Sequence, residues 1–490
     1  MGVILGQNAL MLKSIRALVV MAGLAVMALV ATPRAQVAGR DAAVDKVFST
    51  WTNQTPGCAV GVAERGVSVL EKAYGMADLE HDITNRADTI FEAGSVSKQF
   101  TAAAVILLAL DGKLSLDDEV RKFVPELPID EAPITLRQML SHTAGLRDWG
   151  NLMGIAGMPR GERTYTHAHV VDILSRQRAL NFAPGTRWSY SNSGYNLAAV
   201  VVARVSGTTF AEFSRTRIFE PLGLTHTSWR DDYARIVRNR AIGYALQGTR
   251  YRQDMPFEQV HGNGGLLTTV GDLLKWQQAL ATGPFAKDVA PRQQTMQKLP
   301  DGRDLHYGLG VFKGTYKGVE EVYHSGSTAG YRAFLTTYPS AQLTVAVLCN
   351  AGNANATQLA RSVSDIYLGD RANPNAPPTL TLPEAQGPNL APPAGANAQL
   401  SAADLAAFAG AYTSDEIETT LTVAVENGAL ILRRRPDTVI TLRPQGGDQF
   451  QAGAGLGVVR FQREGGRVVS LSVTQDRVWD LRFLRRAGQD

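Results

Sequence analysis

The alternation of apolar and polar residues changes character near residue 370. Upstream, two periodicities are mixed. Cys58–Ala63 and Val67–Tyr74 are strand-like runs on either side of Glu64-Arg65-Gly66, which reads as a turn. A helix is predicted from about Ser95 to Leu110. Its Ala102–Leu110 stretch has so little polar face that it must be buried, and Asp111-Gly112 supplies a stop. Further helices are predicted at Leu136–Leu140, His167–Arg176, Ser193–Val205, Phe210–Phe219, Val270–Ala281 and Ala356–Tyr367. Between the last two, Arg332–Tyr338 and Leu343–Cys349 form a second hairpin around Pro339-Ser340. Two opening strands, a helical middle, and a returning hairpin plus helix predict one α+β domain closed by its own ends.

From Phe408 onward the pattern has period two. Thr420–Val425 and Ala429–Arg433 flank Glu426-Asn427-Gly428, while Val458–Gln462 and Val468–Val473 flank Glu464-Gly465-Gly466. Trp479–Phe483 adds another strand. Such spacing predicts a small antiparallel barrel or sandwich. No cluster of reactive side chains stands out in it, so it reads as a structural or interaction appendage. Between Asp370 and Ala394 lie seven of the 22 prolines, a density that excludes helix and ladder and marks an exposed linker. The expected division is a catalytic unit over 39–369, a linker over 370–400 and a β domain over 401–490.

A length of 490 residues suits this division, at roughly 100–200 residues per domain. With 44% hydrophobic and 19% charged residues the chain is ordinary globular material, which excludes general disorder. Lys13, Arg16 and Arg34 account for three of the four net positive charges and lie in a leader without an acid. The remainder is near neutral, which argues against a nucleic-acid surface. In that leader, Lys13 and Arg16 precede the apolar run Ala17–Ala31, and Ala31, Ala35 and Ala38 follow as small residues. This is the layout of a signal peptide over 1–38, and it predicts a periplasmic or secreted protein; a buried N-terminal helix is the alternative. The run is about 15 residues, short for a bilayer span, and no later segment suits a stable membrane span. Cys58 and Cys349 are the only cysteines, too few for a disulfide scaffold and without metal-site spacing.

Three short stretches could carry chemistry. In Ser95-Val96-Ser97-Lys98 at a helix start, positions three apart share a face, so the hydroxyl and amine can meet. A buried lysine can take the proton that makes serine a nucleophile, and free N–H groups of the first turn can receive an oxyanion. Alone, the motif equally fits an N-cap serine followed by a surface lysine. Tyr190-Ser191-Asn192 follows Pro184-Gly185; a phenol beside cations can act as base then acid, and Asn192 can bind an amide. It equally fits a turn capping the next helix. His324-Ser325-Gly326-Ser327 lies ahead of the Arg332–Tyr338 strand, where a glycine lets a substrate backbone approach; an ordinary turn is the alternative. Arg433-Arg434-Arg435 reads as a solvated strand end, and His142 as structural.

Taken in this order, the three resemble the class C β-lactamases and their penicillin-recognising relatives, among them D-alanyl-D-alanine carboxypeptidases, D-amino-acid peptidases and β-lactamase-like esterases. Leu140-Ser141-His142-Thr143-Ala144-Gly145-Leu146, Pro184–Gly207 and Gly264–Thr269 resemble the same family, over residues 45–370. The resemblance implies a β-lactamase-like α+β fold and makes Ser95 the acylated nucleophile, with Lys98 as its proton acceptor or electrostatic partner. Tyr190 is implied to serve the leaving group and Asn192 the substrate amide. His324 and Gly326 border the site, with an oxyanion hole from the N–H groups of Ser95 and Ser327. No metal and no organic cofactor is required.

The implied activity is that of an exported serine hydrolase acting through a Ser95 acyl-enzyme on amide or ester substrates, a D-amino-acid peptide or a carboxylic ester. Hydrolysis of β-lactams is an alternative. So is a penicillin- or cell-wall-peptide-binding sensor that acylates without turnover. Where the β-lactamases carry lysine in the third motif this chain has His324, mostly neutral at pH 7, which favours esters or peptides over antibiotics. The partner is a small-molecule or peptide substrate, and the oligomeric state stays open. The family's fold sets the first strand antiparallel to the last and so implies that Cys58 lies near Cys349, with bonding left open. The C-terminal part resembles, by strand pattern and position, the lipocalin-like barrels appended to some D-amino-acid peptidases.

Overall fold

The computed structural model describes residues 39–128, 132–377, 400–453 and 455–486. The expected leader and residues 378–399 of the expected linker lie outside them. Strands β1 (Cys58–Glu64) and β2 (Val67–Tyr74) join β3 (Phe312–Tyr316), β4 (Val319–Thr328), β5 (Tyr331–Tyr338) and β6 (Leu343–Cys349) in one antiparallel sheet, in the order β3-β4-β5-β6-β1-β2. The two ends of this α+β unit thus meet in the middle of its sheet. Cys58 pairs with Cys349 in register, and the two are disulfide-bonded with Cα atoms 3.9 Å apart.

Every residue of β6 is buried, because helices cover both faces of the sheet. Six helices matter below: α1 (Lys98–Leu110), α2 (Trp149–Ile155), α3 (Asn192–Ser206), α4 (Val270–Ala281), α5 (Ala356–Leu368) and α6 (Ala402–Phe408). On one face α4 crosses β1 closely, since a Cβ on Gly61 would stand 3.1 Å from both Val270 and Leu274. The other face packs Val60, Val345 and Val347 against Ala360 and Val363 of α5, with Val44 and Phe48 from the chain start. The helix predicted from Ser95 begins instead as a tight turn, Gly94–Ser97, that becomes α1 at Lys98. Phe210–Phe219 is likewise two pieces, an α-helix to Ser214 followed by a wider turn. Among the described residues, no single helix is long and apolar enough to cross a membrane.

The C-terminal part is a closed antiparallel barrel of eight strands: β7 (Gly410–Ser414), β8 (Thr419–Glu426), β9 (Ala429–Arg434), β10 (Thr438–Gly446), β11 (Gln449–Gln451), β12 (Val458–Glu464), β13 (Arg467–Gln475) and β14 (Val478–Arg485). Its inward side chains fill it: Phe461 meets Phe450 at 5.6 Å and Phe408, brought by α6, at 4.6 Å. The barrel docks through buried polar groups. Arg147 donates to Glu416 Oε2 (2.8 Å) and to the carbonyls of Trp479 (3.0 Å) and Asp480 (3.2 Å). The run Arg433-Arg434-Arg435 is not simply solvated. Arg433 pairs with Glu426, but Arg434 crosses the seam to the Gly154 carbonyl at the end of α2.

Candidate active site

Ser95 sits on the tight turn ahead of α1 and Lys98 is the first residue of that helix. In such a turn side chains three apart eclipse one another, and Lys98 Nζ lies 3.1 Å from Ser95 Oγ. Ser97 anchors the turn: its hydroxyl donates to the Gly94 carbonyl (2.5 Å) and accepts from the Leu266 N–H (3.1 Å). Lys98 is wholly buried and donates to Asn192 Oδ1 (3.0 Å) and the Asn263 carbonyl (2.7 Å). Burial, reinforced by the nearby Arg477 guanidinium, holds its amine well below the usual lysine range. A neutral amine keeps both of its hydrogens on these two carbonyl oxygens and leaves its lone pair for the Ser95 hydroxyl.

Tyr190 reaches the same place from the loop before α3. Lys98 Nζ stands 4.8 Å from its ring centroid, and its hydroxyl has a hydrogen-bond contact with the Ser95 side chain. Burial pushes the phenol up, opposed by Ser95 and by Arg477, so the resting group is protonated. That differs from a base-first role for this phenol. The capping alternative also holds here, since Ser191 Oγ accepts from the Ser193 N–H at the start of α3. Asn192 spends its side-chain oxygen on Lys98 and its backbone N–H on Asp148 Oδ2 (2.7 Å), which leaves its NH2 group for a substrate.

His324-Ser325-Gly326-Ser327 lies within β4, not in a turn. The neighbouring β3 pairs only with Val319–Tyr323, so the edge of the following residues is free on that side. Glycine is required at 326, where a Cβ would stand 2.0 Å from the Ala93 carbonyl oxygen and 3.1 Å from the Ser95 nitrogen. A Cβ on Gly94, at φ +50°, would likewise stand 2.6 Å from the Ser327 nitrogen. These two close approaches bring the backbone of Ser327 beside that of Ser95.

His324 is 1% exposed. Burial first, then Lys98, lowers its pKa to about 3, and its Nδ1 bonds the Ser325 carbonyl at 2.6 Å. It therefore brings no charge to the site. A chain of buried hydrogen bonds runs behind it. His142 Nδ1 accepts from the Ser191 N–H (3.2 Å), and its Nε2 meets Tyr307 Oη (3.2 Å), which meets His324 Nε2 at 3.3 Å. The accepting Nδ1 makes Nε2 of His142 a donor, so the Tyr307 hydroxyl is free to donate to His324. The His142 ring lies 4.2 Å from that of Tyr190 and fixes its position.

Sequence reasoning overlooked Tyr307, Asn263, Asp148 and Arg477. Arg477 belongs to the β13–β14 turn of the barrel, and its guanidinium lies 4.8 Å from the Tyr190 ring centroid. Its carbonyl accepts from the Asp148 N–H (3.2 Å) and from Asn181 Nδ2 (3.0 Å). Nothing in Gln475-Asp476-Arg477-Val478 marks it. Only the stretch around His142, already noted, gave a signal for this inner layer.

Comparison with known proteins agrees with this geometry. A family model described as Beta-lactamase matches residues 34–368. Penicillin-binding protein 4* of Bacillus subtilis is 29% identical over 59% of this chain and 66% of its own length. A D-aminopeptidase of Brucella anthropi is 29% identical over 56% of this chain and 52% of its own. The match thus spans between half and two thirds of these curated relatives. Among solved structures, the octameric penicillin-binding protein homologue from Pyrococcus abyssi superposes over 92% of this chain and all of its own, with a TM-score of 0.60 at 24% identity. The D-amino acid amidase from Ochrobactrum anthropi SV3 covers 68% of this chain and all of its own, with a TM-score of 0.58 at 21% identity. With the matched model extending over well more than half of its length, the chain belongs to the β-lactamase family.

Proposed function

We propose that the protein is an exported serine hydrolase that cleaves amide bonds of D-amino-acid peptides through a covalent Ser95 ester. The observation that carries this reading is the contact of Ser95 Oγ with a fully buried Lys98 amine beside the Tyr190 phenol. On this reading the neutral Lys98 takes the Ser95 proton as Oγ bonds to the substrate carbonyl carbon. The N–H groups of Ser95 and Ser327 receive the oxyanion. Collapse breaks the C–N bond, and Tyr190, protonated at rest, gives its proton to the leaving nitrogen. The proton held by Lys98 then restores the phenol, and water hydrolyses the ester by the reverse sequence. The names of the D-aminopeptidase and D-amino acid amidase relatives support an amide with a D-residue. The expected leader and the Cys58–Cys349 bond support export, since disulfides persist in oxidising compartments.

Intact-mass analysis after brief exposure to D-amino-acid amides, p-nitrophenyl esters and a β-lactam is the test. The expected result is a single adduct on Ser95 with amides and esters, absent in Ser95→Ala, and an activity loss of at least about 10³-fold in that variant. Hydrolysis retained by Ser95→Ala would reject the assignment. An adduct that forms but is never released would favour the sensor instead.

A further inference from the structure

The barrel contributes a charged side chain to the hydrolase site, and the surroundings of that side chain indicate a use. His324 is buried in hydrogen bonds to Ser325 and Tyr307 and brings no charge to the site. Lys98 is committed to Ser95 and two carbonyls. Arg477 is the cation left beside Tyr190, and it is not a loose surface group. Its backbone is held by Asp148 and Asn181, and the Trp479 N–H two residues on donates to Asn181 Oδ1 at 2.8 Å. Its side chain is 33% exposed, so a ligand can reach it. Its Nε faces Asp476 Oδ2 at 3.3 Å, and among the described residues no partner is found for Nη1 or Nη2. The buried Asp148 carboxylate accepts instead from the N–H groups of Gly150, Asn151 and Asn192.

We infer that Arg477 is a specificity-determining residue of the hydrolase site: its open guanidinium edge grips a carboxylate carried by the leaving group. The inference rests on the acyl-transfer reading above, in which Tyr190 serves the leaving nitrogen. A cation beside the Tyr190 ring then lies on the leaving-group side. Two parallel N–H donors in a fixed plane suit a carboxylate, and the pinned backbone has already lost much of the freedom that binding would otherwise cost. Substrates would be amides or esters whose departing half bears an acid.

The test uses the full-length, disulfide-bonded protein and two acyl esters that differ only in the leaving group, 3-carboxyphenol against phenol. The quantity read is the ratio of the two kcat/KM values within each enzyme, which does not depend on the fraction of active protein. The wild type is expected to favour the carboxylate-bearing ester by about ten- to a hundredfold beyond the intrinsic reactivity difference measured in buffer. Arg477→Gln should bring the ratio to the buffer value, and Arg477→Lys should keep part of the preference. An equal fall for both esters in Arg477→Gln, with the ratio unchanged, would overturn the inference and leave Arg477 a docking or electrostatic residue. No preference in the wild type would overturn it as well. Failure of the underlying reading looks different, because both esters would then still be cleaved by Ser95→Ala.

Discussion

At the scale of single residues, burial sets most of the chemistry. Lys98, His142 and His324 are basic groups whose proton affinity is lowered chiefly by burial, because the bonds they make do not fully repay the loss of water around a charge. For His324 this has a consequence for stability. Above about pH 6.5 the imidazole is neutral both folded and unfolded. Between pH 6.5 and about 3 the unfolded chain binds a proton that the folded protein refuses, so stability falls as pH falls, by about 1.4 kcal/mol per pH unit for this group alone. His142 adds to the same slope. Replacement His324→Gln is expected to reduce the pH 5 against pH 7 difference in denaturant midpoint; an unaltered difference would show that His324 titrates normally.

At the scale of elements, the close passage of β4 over the Gly94–Ser97 turn places two backbone N–H groups together. Gly326→Ala drives a methyl into the Ala93 carbonyl and must lift β4 away from Ser95. The expected effect is a loss of about 10²–10³ in kcat with circular dichroism unchanged, the size of one missing oxyanion donor. Activity within threefold of wild type would mean that β4 does not form that wall. Much of this level was legible in the sequence: the β1–β2 hairpin, the helix before Asp111-Gly112, the β5–β6 hairpin and both Gly-turn hairpins of the barrel follow apolar periodicity. β4 did not, because Glu321 interrupts its apolar face. That carboxylate is wholly buried, paired with Arg361 at 2.7 Å and hydrogen-bonded by Thr336 and Tyr338. Periodicity counts such a residue as outward-facing. Ser95, Lys98 and Tyr190 could be picked out by motif. Arg477 could not, since its place in the site is decided by docking between units whose segments lie almost 300 residues apart in the chain.

At the scale of the whole molecule, the barrel and the catalytic unit are joined by charges out of contact with water. Arg147 and Glu416 have side chains only 2% and 9% exposed, and Arg147 also holds the carbonyls that follow Arg477. Glu416→Gln strands that guanidinium and is expected to cost about 3–5 kcal/mol in denaturant unfolding followed by tryptophan fluorescence, whereas Arg147→Met with Glu416→Leu should cost less. A loss below about 1 kcal/mol for the single variant would show that the seam is held elsewhere. The Cys58–Cys349 bond has a different reach. It turns the chain from 58 to 349 into a covalent hoop that contains Ser95, Lys98, Tyr190 and Ser327. A protease that nicks this hoop once leaves its two fragments tethered until a reductant arrives. A cut between the hoop and the barrel severs the only peptide connection to Arg477, so the Ser95 site and its charged neighbour differ in how they survive damage.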